Sequence, residues 1–240
     1  KVDSLKFLKI NFLMVNQTTN WGNQSIRYVR DSEKNSNKKK GEKINFFKIF
    51  FKNFFKNKKI RNVLDVGCGN GDFLEDFEIN KKIKKYGIET SVQTVKFLNK
   101  RHKKIKFKKA YCHKIPFNQD AFDLVIVWSV LHWIDRNNYL QSLGELIRVT
   151  NKYLIVMDFF PNRPHKTKYK HKKNFFTYKT DFDATLLSSG YLKKETELNY
   201  YINEKENKLV KTTLKNQKED YQRKMVIYKK KITLPLKSFK

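Results

Sequence analysis

The chain has 240 residues, which is enough for one α/β domain to bury most of the surface that its unfolded form exposes. Hydrophobic residues make up 39% and aromatic residues 15%, so the charged residues, at 32%, indicate a solvated surface and exclude a largely disordered chain. The net charge of +30 has two interpretations. The surface could bind nucleic acid, or an A/T-rich genome could have enriched lysine at surface positions that tolerate it.

The cysteine content and the N-terminal segment indicate the cellular compartment in which the protein is expected to work. Cys68 and Cys112 fit no metal-ligand spacing and are too few for a disulfide scaffold, which predicts a reducing cytoplasm and no metal. The early stretch KFLKINFLMV is interrupted by lysine and asparagine, so we expect neither a signal peptide nor a membrane span. The oligomeric state is left open.

Helical and strand periods alternate along the chain. Phenylalanines at 47, 51, 54 and 55 predict an amphipathic helix, and further helices are predicted after Gly71, at 92–100, at 139–148 and at 181–188. Apolar runs predict strands at 60–66, 84–89, 105–110, 122–128, 152–160, 195–204 and 223–230. The βαβαβ order predicts an α/β fold with a doubly wound, mostly parallel seven-stranded sheet and helices on both faces.

One domain is predicted at 21–230, preceded by an N-terminal arm at 1–20 that need not belong to the fold and followed by a basic tail at 231–240. Within it, the connection at 159–182 is long, and long connections in compact domains are commonly functional. It could clasp an anionic small molecule, stack a nucleobase or be a solvated loop. Its aromatic and imidazole side chains stand among lysines: His165, Tyr169, His171 and Tyr178.

The stretch VLDVGCGNGDFL at 63–74 is a glycine-rich loop after an apolar run. Its spacing is Gly67-x-Gly69-x-Gly71, with Asp72 where a dinucleotide fingerprint has its third glycine, and no Gly-Lys-Ser/Thr of a P-loop follows. Asp65 stands at the predicted strand end. A carboxylate there suits a cationic ligand group better than a phosphate.

A second carboxylate, Glu89, closes the strand KKYGIE about 20 residues after the glycine loop. At the tip of the second strand of such a sheet, a carboxylate accepts both hydroxyls of a ribose. The sequence therefore predicts a ligand that contains a ribose and needs no phosphate subsite.

Four segments in this order resemble the class I S-adenosylmethionine-dependent methyltransferases, in the type 11 domain family. They are VLDVGCGNG, GIE, IPFNQDAFDLVIVWSVLHWI and ELIRVTNKYLIVMDF, and the resemblance is strongest over 60–160. It implies methyl transfer from S-adenosylmethionine. No N-P-P-Y or D-P-P-Y sequence follows the fourth strand, which counts against adenine and glutamine as acceptors.

The resemblance also implies roles for single residues. Asp65 would face the amino group of the methionine moiety, the glycines would give the backbone a close path past the cofactor, and Glu89 would bind the ribose. Arg30, together with Trp21 and Tyr28, would form a lid and pair with the methionine carboxylate, unless this segment is an ordinary surface helix. The implied cofactor-binding set is Asp65, Gly67, Cys68, Gly69, Gly71, Glu89, Thr90, Tyr111, Cys112, Trp128 and Arg30.

One position departs from the family pattern. An aspartate usually ends the third-strand segment and accepts a hydrogen bond from the adenine amino group, but this chain has Ala110-Tyr111-Cys112 there. Tyr111 could accept through its hydroxyl or stack on the purine, and Cys112 could donate its backbone N–H. The departure puts the adenine contact in doubt.

His132 follows the fourth strand and is the candidate general base, because the ordinary pKa of histidine lies near neutrality. The alternative is a histidine that opens a helix and only hydrogen-bonds backbone.

The leading hypothesis is a methyltransferase that acts on a small molecule, such as a metabolite or sugar-type intermediate. The alternatives are an RNA-directed methyltransferase that uses the basic surface and a domain that keeps the fold without turnover.

Overall fold

The computed structural model describes residues 41–80, 82–168, 176–203, 208–211 and 223–231. The predicted N-terminal arm, nearly all of the predicted tail and several predicted site residues lie outside this part of the chain. These site residues are Trp21, Tyr28, Arg30, Tyr169 and His171.

Eight strands form one sheet in the order β3-β2-β1-β4-β5-β10-β8-β9. The five strands from β3 to β5 are parallel, whereas β10, β8 and β9 are antiparallel to their neighbours. Their bounds are β1 (Asn62–Val66), β2 (Lys84–Glu89), β3 (Ile105–Lys109), β4 (Phe122–Trp128), β5 (Thr150–Phe159), β8 (Leu192–Asn203), β9 (Lys208–Lys211) and β10 (Arg223–Lys230). The predicted fold class is confirmed, with β9 as one strand more than the predicted seven.

Helices cover both faces of this sheet, and each face has its own buried core. The helices are α1 (Gly41–Phe55), α2 (Asp72–Asp76), α3 (Val92–Arg101), α4 (Arg136–Val149) and α5 (Phe182–Ser188). Alternating strand residues serve the two cores, as with Val63 on the face of α1 to α3 and Leu64 on the face of α4 and α5. This layering is the doubly wound arrangement that the sequence pattern predicted.

Helix α4 begins three residues before the predicted position at Tyr139. The Asp135 carboxylate accepts hydrogen bonds from the backbone N–H groups of Asn137 and Asn138, at 3.0 and 3.1 Å, and so caps the helix. This cap lets two asparagines with low helix propensity form the first turn.

The long connection after β5 contains a β-hairpin. Its strands, β6 (His165–Lys168) and β7 (Phe176–Lys179), pair antiparallel, with His165 opposite Lys179. Strand β7 packs against a 3-10 helix, Leu131–Trp133, that follows β4. The hairpin therefore brings Tyr178 and Lys179 to the carboxyl end of β4.

Parallel strands that share a sheet end at the same edge, and here this edge collects polar residues. Asp65, Glu89 and Asp158 stand at the carboxyl ends of β1, β2 and β5. Because β10 runs antiparallel to β5, its first residue, Arg223, pairs with Phe159 at the same edge. This is the crevice where ligands bind in open α/β sheets.

None of the helices in the described ranges has both the length and the apolar character that a membrane crossing requires.

Candidate active site

Asp65 is a buried carboxylate at the end of β1, with 4% of its surface exposed. Within the described residues it forms no ion pair and accepts no hydrogen bond. Burial, together with the nearby charge of Glu89, raises the pKa of Asp65 to about 7. An unpartnered carboxylate in such a place is suited to receive a cationic group.

Glu89, at the end of β2, accepts hydrogen bonds from the glycine loop and from the residue that follows it. One carboxylate oxygen accepts from the Gly69 N–H at 3.1 Å, and the other accepts from the N–H and hydroxyl of Thr90 at 2.7 and 3.0 Å. A carboxylate offers about four acceptor positions, so at least one remains for a ligand. Thr90 thus orients Glu89.

The glycine loop combines a packed position with an open one. Gly67 has φ +74°, and a Cβ atom there would lie 2.4 Å from Cγ2 of Val130. Gly69 has φ +54°, and a Cβ atom there would meet nothing within 4 Å. The backbone at Gly69 is therefore open to a ligand, whereas Gly67 is needed for packing.

Neither cysteine presents its thiol to the crevice. Both thiols are buried, and burial raises the pKa of the Cys112 thiol to about 12. The backbone N–H of Cys68 donates to the Ile88 carbonyl at 3.0 Å, and its carbonyl accepts from the Gly71 N–H at 2.9 Å. Cys68 therefore shapes the loop, and its backbone N–H is engaged.

Tyr111 lies just beyond β3 and is half-buried. Its ring stacks on His113, with centroids 5.4 Å apart, and the Lys109 ammonium lies 4.1 Å from its centroid. An aromatic ring held in this way stands where the family pattern has an acid.

Trp128, at the end of β4, packs edge-on against Phe47 and Phe73, with centroid distances of 5.2 and 5.5 Å. The next residue, Ser129, has φ +56°, which is uncommon for a residue other than glycine. Such backbone outliers are concentrated at functional sites.

His132 forms a buried pair with Asp158. Its Nδ1 atom lies 2.6 Å from an Asp158 carboxylate oxygen, and 6% of the His132 surface is exposed. Asp158 also accepts from the N–H groups of Leu131 and Phe159, at 2.8 and 2.7 Å. Burial alone would raise the pKa of Asp158, but the charge and hydrogen bond of His132, the Phe159 N–H and the charge of Arg223 hold it below its ordinary value.

The ring of His132 therefore bonds a carboxylate, unlike the backbone-bonded histidine of the alternative interpretation. A carboxylate at Nδ1 favours the tautomer that carries its proton there, which leaves the Nε2 lone pair to accept a proton. Sequence reasoning missed Asp158. The available signal was an acid near the carboxyl end of an otherwise apolar strand, KYLIVMDFF.

Comparison with known proteins shows which family and which folds this chain resembles. Residues 63–153, which run from β1 into β5, match the family described as Methyltransferase domain. The matched segment covers less than half of the chain. Over this segment, the resemblance to methyltransferases that the sequence motifs indicated is confirmed.

Solved structures share the fold of this chain at low sequence identity. A Methanosarcina mazei S-adenosylmethionine-dependent methyltransferase is 14% identical, with TM-score 0.58 over 74% of this chain and 95% of that one. Another from Clostridium acetobutylicum is 12% identical, with TM-score 0.56 over 85% and 97%. The N-methyltransferase NodS from Bradyrhizobium japonicum, in complex with S-adenosyl-L-homocysteine, is 11% identical, with TM-score 0.54 over 80% and 89%.

An uncharacterized protein from Methanocaldococcus jannaschii is 34% identical over 93 residues. This segment covers 39% of the present chain and 37% of that protein, so the chain spans well under half the length of the curated relative that it matches.

Proposed function

We propose that the protein is an S-adenosylmethionine-dependent methyltransferase that acts on a small-molecule acceptor. The observation that carries the proposal is Asp65, a carboxylate buried beside the glycine loop without a partner among the described residues. Burying a charge without a partner is costly, so the position needs a ligand that compensates it. The ammonium group of a methionine moiety is such a ligand.

The other residues at this end of the crevice fit the same cofactor. Glu89 is oriented by Thr90 and has acceptor capacity for the ribose hydroxyls, and Gly69 leaves its side of the loop open. For the adenine we propose stacking on, or a hydrogen bond to, Tyr111, with the Cys112 backbone as a further donor. When bound, the cofactor supplies a methyl group activated on a sulfonium.

At the acceptor end, His132 would take a proton from the accepting atom at Nε2, and Asp158 would hold the ring in place and stabilise its charged form. General base catalysis of this kind contributes roughly a hundredfold to ten-thousandfold. Alignment of the two reactants supplies much of the remaining rate in a direct displacement.

A small molecule is the proposed acceptor because the base is covered. His132 is 6% exposed, and strand β7 packs against the 3-10 helix that contains it. The exposed lysines of β3, an edge strand, fit the common use of lysine to protect sheet edges, so they do not by themselves imply RNA.

Labelled S-adenosylmethionine added to a cell extract with the protein tests this choice. We expect the labelled methyl group in the small-molecule fraction. Label recovered in RNA, with binding that weakens steeply as salt rises, would replace this acceptor class with the RNA alternative.

The cofactor assignment is tested by calorimetric titration with S-adenosylmethionine and S-adenosylhomocysteine, with NAD as the control ligand. We expect dissociation constants on the order of micromolar for both sulfur ligands, typical of enzyme ligands, and no measurable binding of NAD. Binding of NAD alone would overturn the proposal.

Gly69→Ala separates ligand contact from backbone strain. The methyl group would enter the open side of the loop, so we expect the affinity for S-adenosylhomocysteine to fall about tenfold or more, while stability falls by roughly 1–2 kcal/mol for the left-handed backbone. Gly190→Ala is the matched control, since Gly190 has φ +74° and open space but lies after α5. Equal loss of affinity in both variants would refute a ligand contact at Gly69.

A further inference from the structure

Phe159, at the end of β5, is surrounded by nitrogen-bearing side chains from three elements. The Lys179 ammonium of β7 lies 4.6 Å from the ring centroid, and the central guanidinium carbon of Arg223 of β10 lies 4.5 Å from it. The His132 ring lies edge-on at 4.7 Å. We call these four residues the Phe159 cluster. It stands at the acceptor end of the crevice, beside the His132–Asp158 pair.

Arg223 has more donors than partners in this cluster. A guanidinium carries five N–H donors, and the described hydrogen bond of Arg223 runs from Nη1 to the Ser129 hydroxyl at 3.3 Å. Within the described residues it forms no ion pair. Asp158 lies near enough to interact with the charge of Arg223. The hydrogen bonds that this carboxylate accepts within the described part of the chain come from Leu131, His132 and Phe159, not from Arg223.

A second polar group beside Arg223 is incompletely satisfied. Tyr200 pairs with Arg223 in the register of β8 and β10, and its side chain is completely buried. Its hydroxyl is close enough to interact with the side chains of Arg223 and Trp128, but it forms no hydrogen bond of good geometry with a described residue. Unsatisfied buried polar groups are rare in native structures and require an explanation.

Two neighbouring cations of this sheet, the buried Lys224 and the half-buried Lys194, are paired with carboxylates. Lys224, the residue after Arg223, lies 3.8 Å from Asp183 and 3.6 Å from Glu197. Lys194 contacts the same two carboxylates at 2.5 and 2.7 Å. Arg223 differs from them because its guanidinium faces the crevice edge, where a ligand can supply the anion.

We propose that Arg223 binds an oxyanion group of the methyl acceptor, a carboxylate or a phosphate, with Lys179 adding a second positive charge. The planar guanidinium fork matches the oxygen geometry of both groups. Binding there would hold the accepting atom close to Nε2 of His132. The assignment of this anion to a methyl acceptor rests on the proposed function, whereas the anion site itself does not.

The side-chain Nε–Hε signals of the ¹⁵N-labelled full chain test the site. The protein, saturated with S-adenosylhomocysteine, is titrated with sodium phosphate and separately with sodium acetate, with sodium chloride keeping the ionic strength constant. The variants Arg223→Lys and Arg163→Lys identify the two signals, because each variant lacks the signal of the arginine that it replaces. Arg163 is exposed and serves as the internal control. We expect a saturable shift of the Arg223 signal and only a small, linear drift of Arg163.

A response to phosphate alone would indicate a phosphorylated acceptor, and a response to acetate would indicate a carboxylic acid. Lys179→Met is expected to lower the binding affinity of the anion that shifts the Arg223 signal by roughly tenfold. An Arg223 signal that moves no more than that of Arg163 with either anion would overturn the proposal. If S-adenosylhomocysteine does not bind, the link between this site and methyl transfer is lost. The titration is then made on the ligand-free protein, where a saturable shift of the Arg223 signal still supports an anion site.

Discussion

Asp65→Asn is expected to weaken S-adenosylmethionine binding at pH 8 by roughly tenfold to a hundredfold, because a hydrogen bond between two charged groups contributes about 1.5–3 kcal/mol. The asparagine keeps the shape of the side chain and removes its charge. Calorimetric titration of both proteins at pH 8 measures the change. An unchanged dissociation constant would remove Asp65 from the cofactor site and with it the main support for the proposed function.

The same variant is expected to stabilise the ligand-free protein. The pKa of Asp65 is about 7 in the folded state, against about 3.9 in an unfolded chain. Between these values the folded state retains a proton that the unfolded state has lost, so the contribution of Asp65 to stability falls as pH rises and reaches a penalty of roughly 4 kcal/mol above pH 7. Asp65→Asn removes part of this penalty.

Urea unfolding at pH 5 and pH 8 checks this expectation. The free energy of unfolding should rise more on Asp65→Asn at pH 8 than at pH 5. Glu78→Gln, which removes an exposed carboxylate, should not raise it at either pH. In the parent protein the affinity for S-adenosylmethionine should rise with pH through about 7 as Asp65 ionises. A pH-independent affinity would contradict a carboxylate-to-ammonium contact.

Gly67→Ala is expected to lower the free energy of unfolding by roughly 2–5 kcal/mol. The left-handed backbone costs about 1–2 kcal/mol for a residue with a Cβ atom, and overpacking adds about 1–3 kcal/mol. The overpacking arises because the new Cβ would lie 2.4 Å from Cγ2 of Val130, whose branched side chain has little rotamer freedom.

The double variant Gly67→Ala/Val130→Ala separates the two costs. Removing the Val130 methyl groups relieves the overlap but leaves the backbone strain, so the loss caused by Gly67→Ala should shrink to about 1–2 kcal/mol when Val130→Ala is the reference. Urea unfolding of the four proteins in this cycle gives the coupling. If the two changes are strictly additive, the contact with Val130 does not limit the loop.

The sequence predicted the parallel half of this molecule well. Strands β1 and β4 are short apolar runs that are buried on both faces, and β2 is buried over its last three residues. Asp65 and Glu89 lie where β1 and β2 were predicted to end. In this half, the position of a residue at the end of a predicted strand also fixes its place in the fold, because the carboxyl ends of all strands in a parallel sheet lie at one edge.

The acceptor end was harder to predict because it depends on register between distant segments. Arg223 opens a predicted strand, but only its antiparallel pairing with Phe159 brings it to the crevice. Likewise, helix α4 separates His132 from Asp158 in the chain, and the bond between them follows from how the 3-10 helix packs on β5. The hairpin was missed because its strands are only four residues long and β6, HKTK, is polar throughout.

The position of β10 between β5 and β8 has a consequence for the order in which the two ends of the crevice are assembled. The strands with Asp65 and Glu89 pair through short βαβ connections, whereas Arg223 reaches Phe159 only after the chain has built β6 to β9. Local contacts form faster than distant ones, and synthesis delivers the N-terminal segments first. A growing chain would therefore complete its cofactor half while its acceptor half still lacks the strand that carries Arg223.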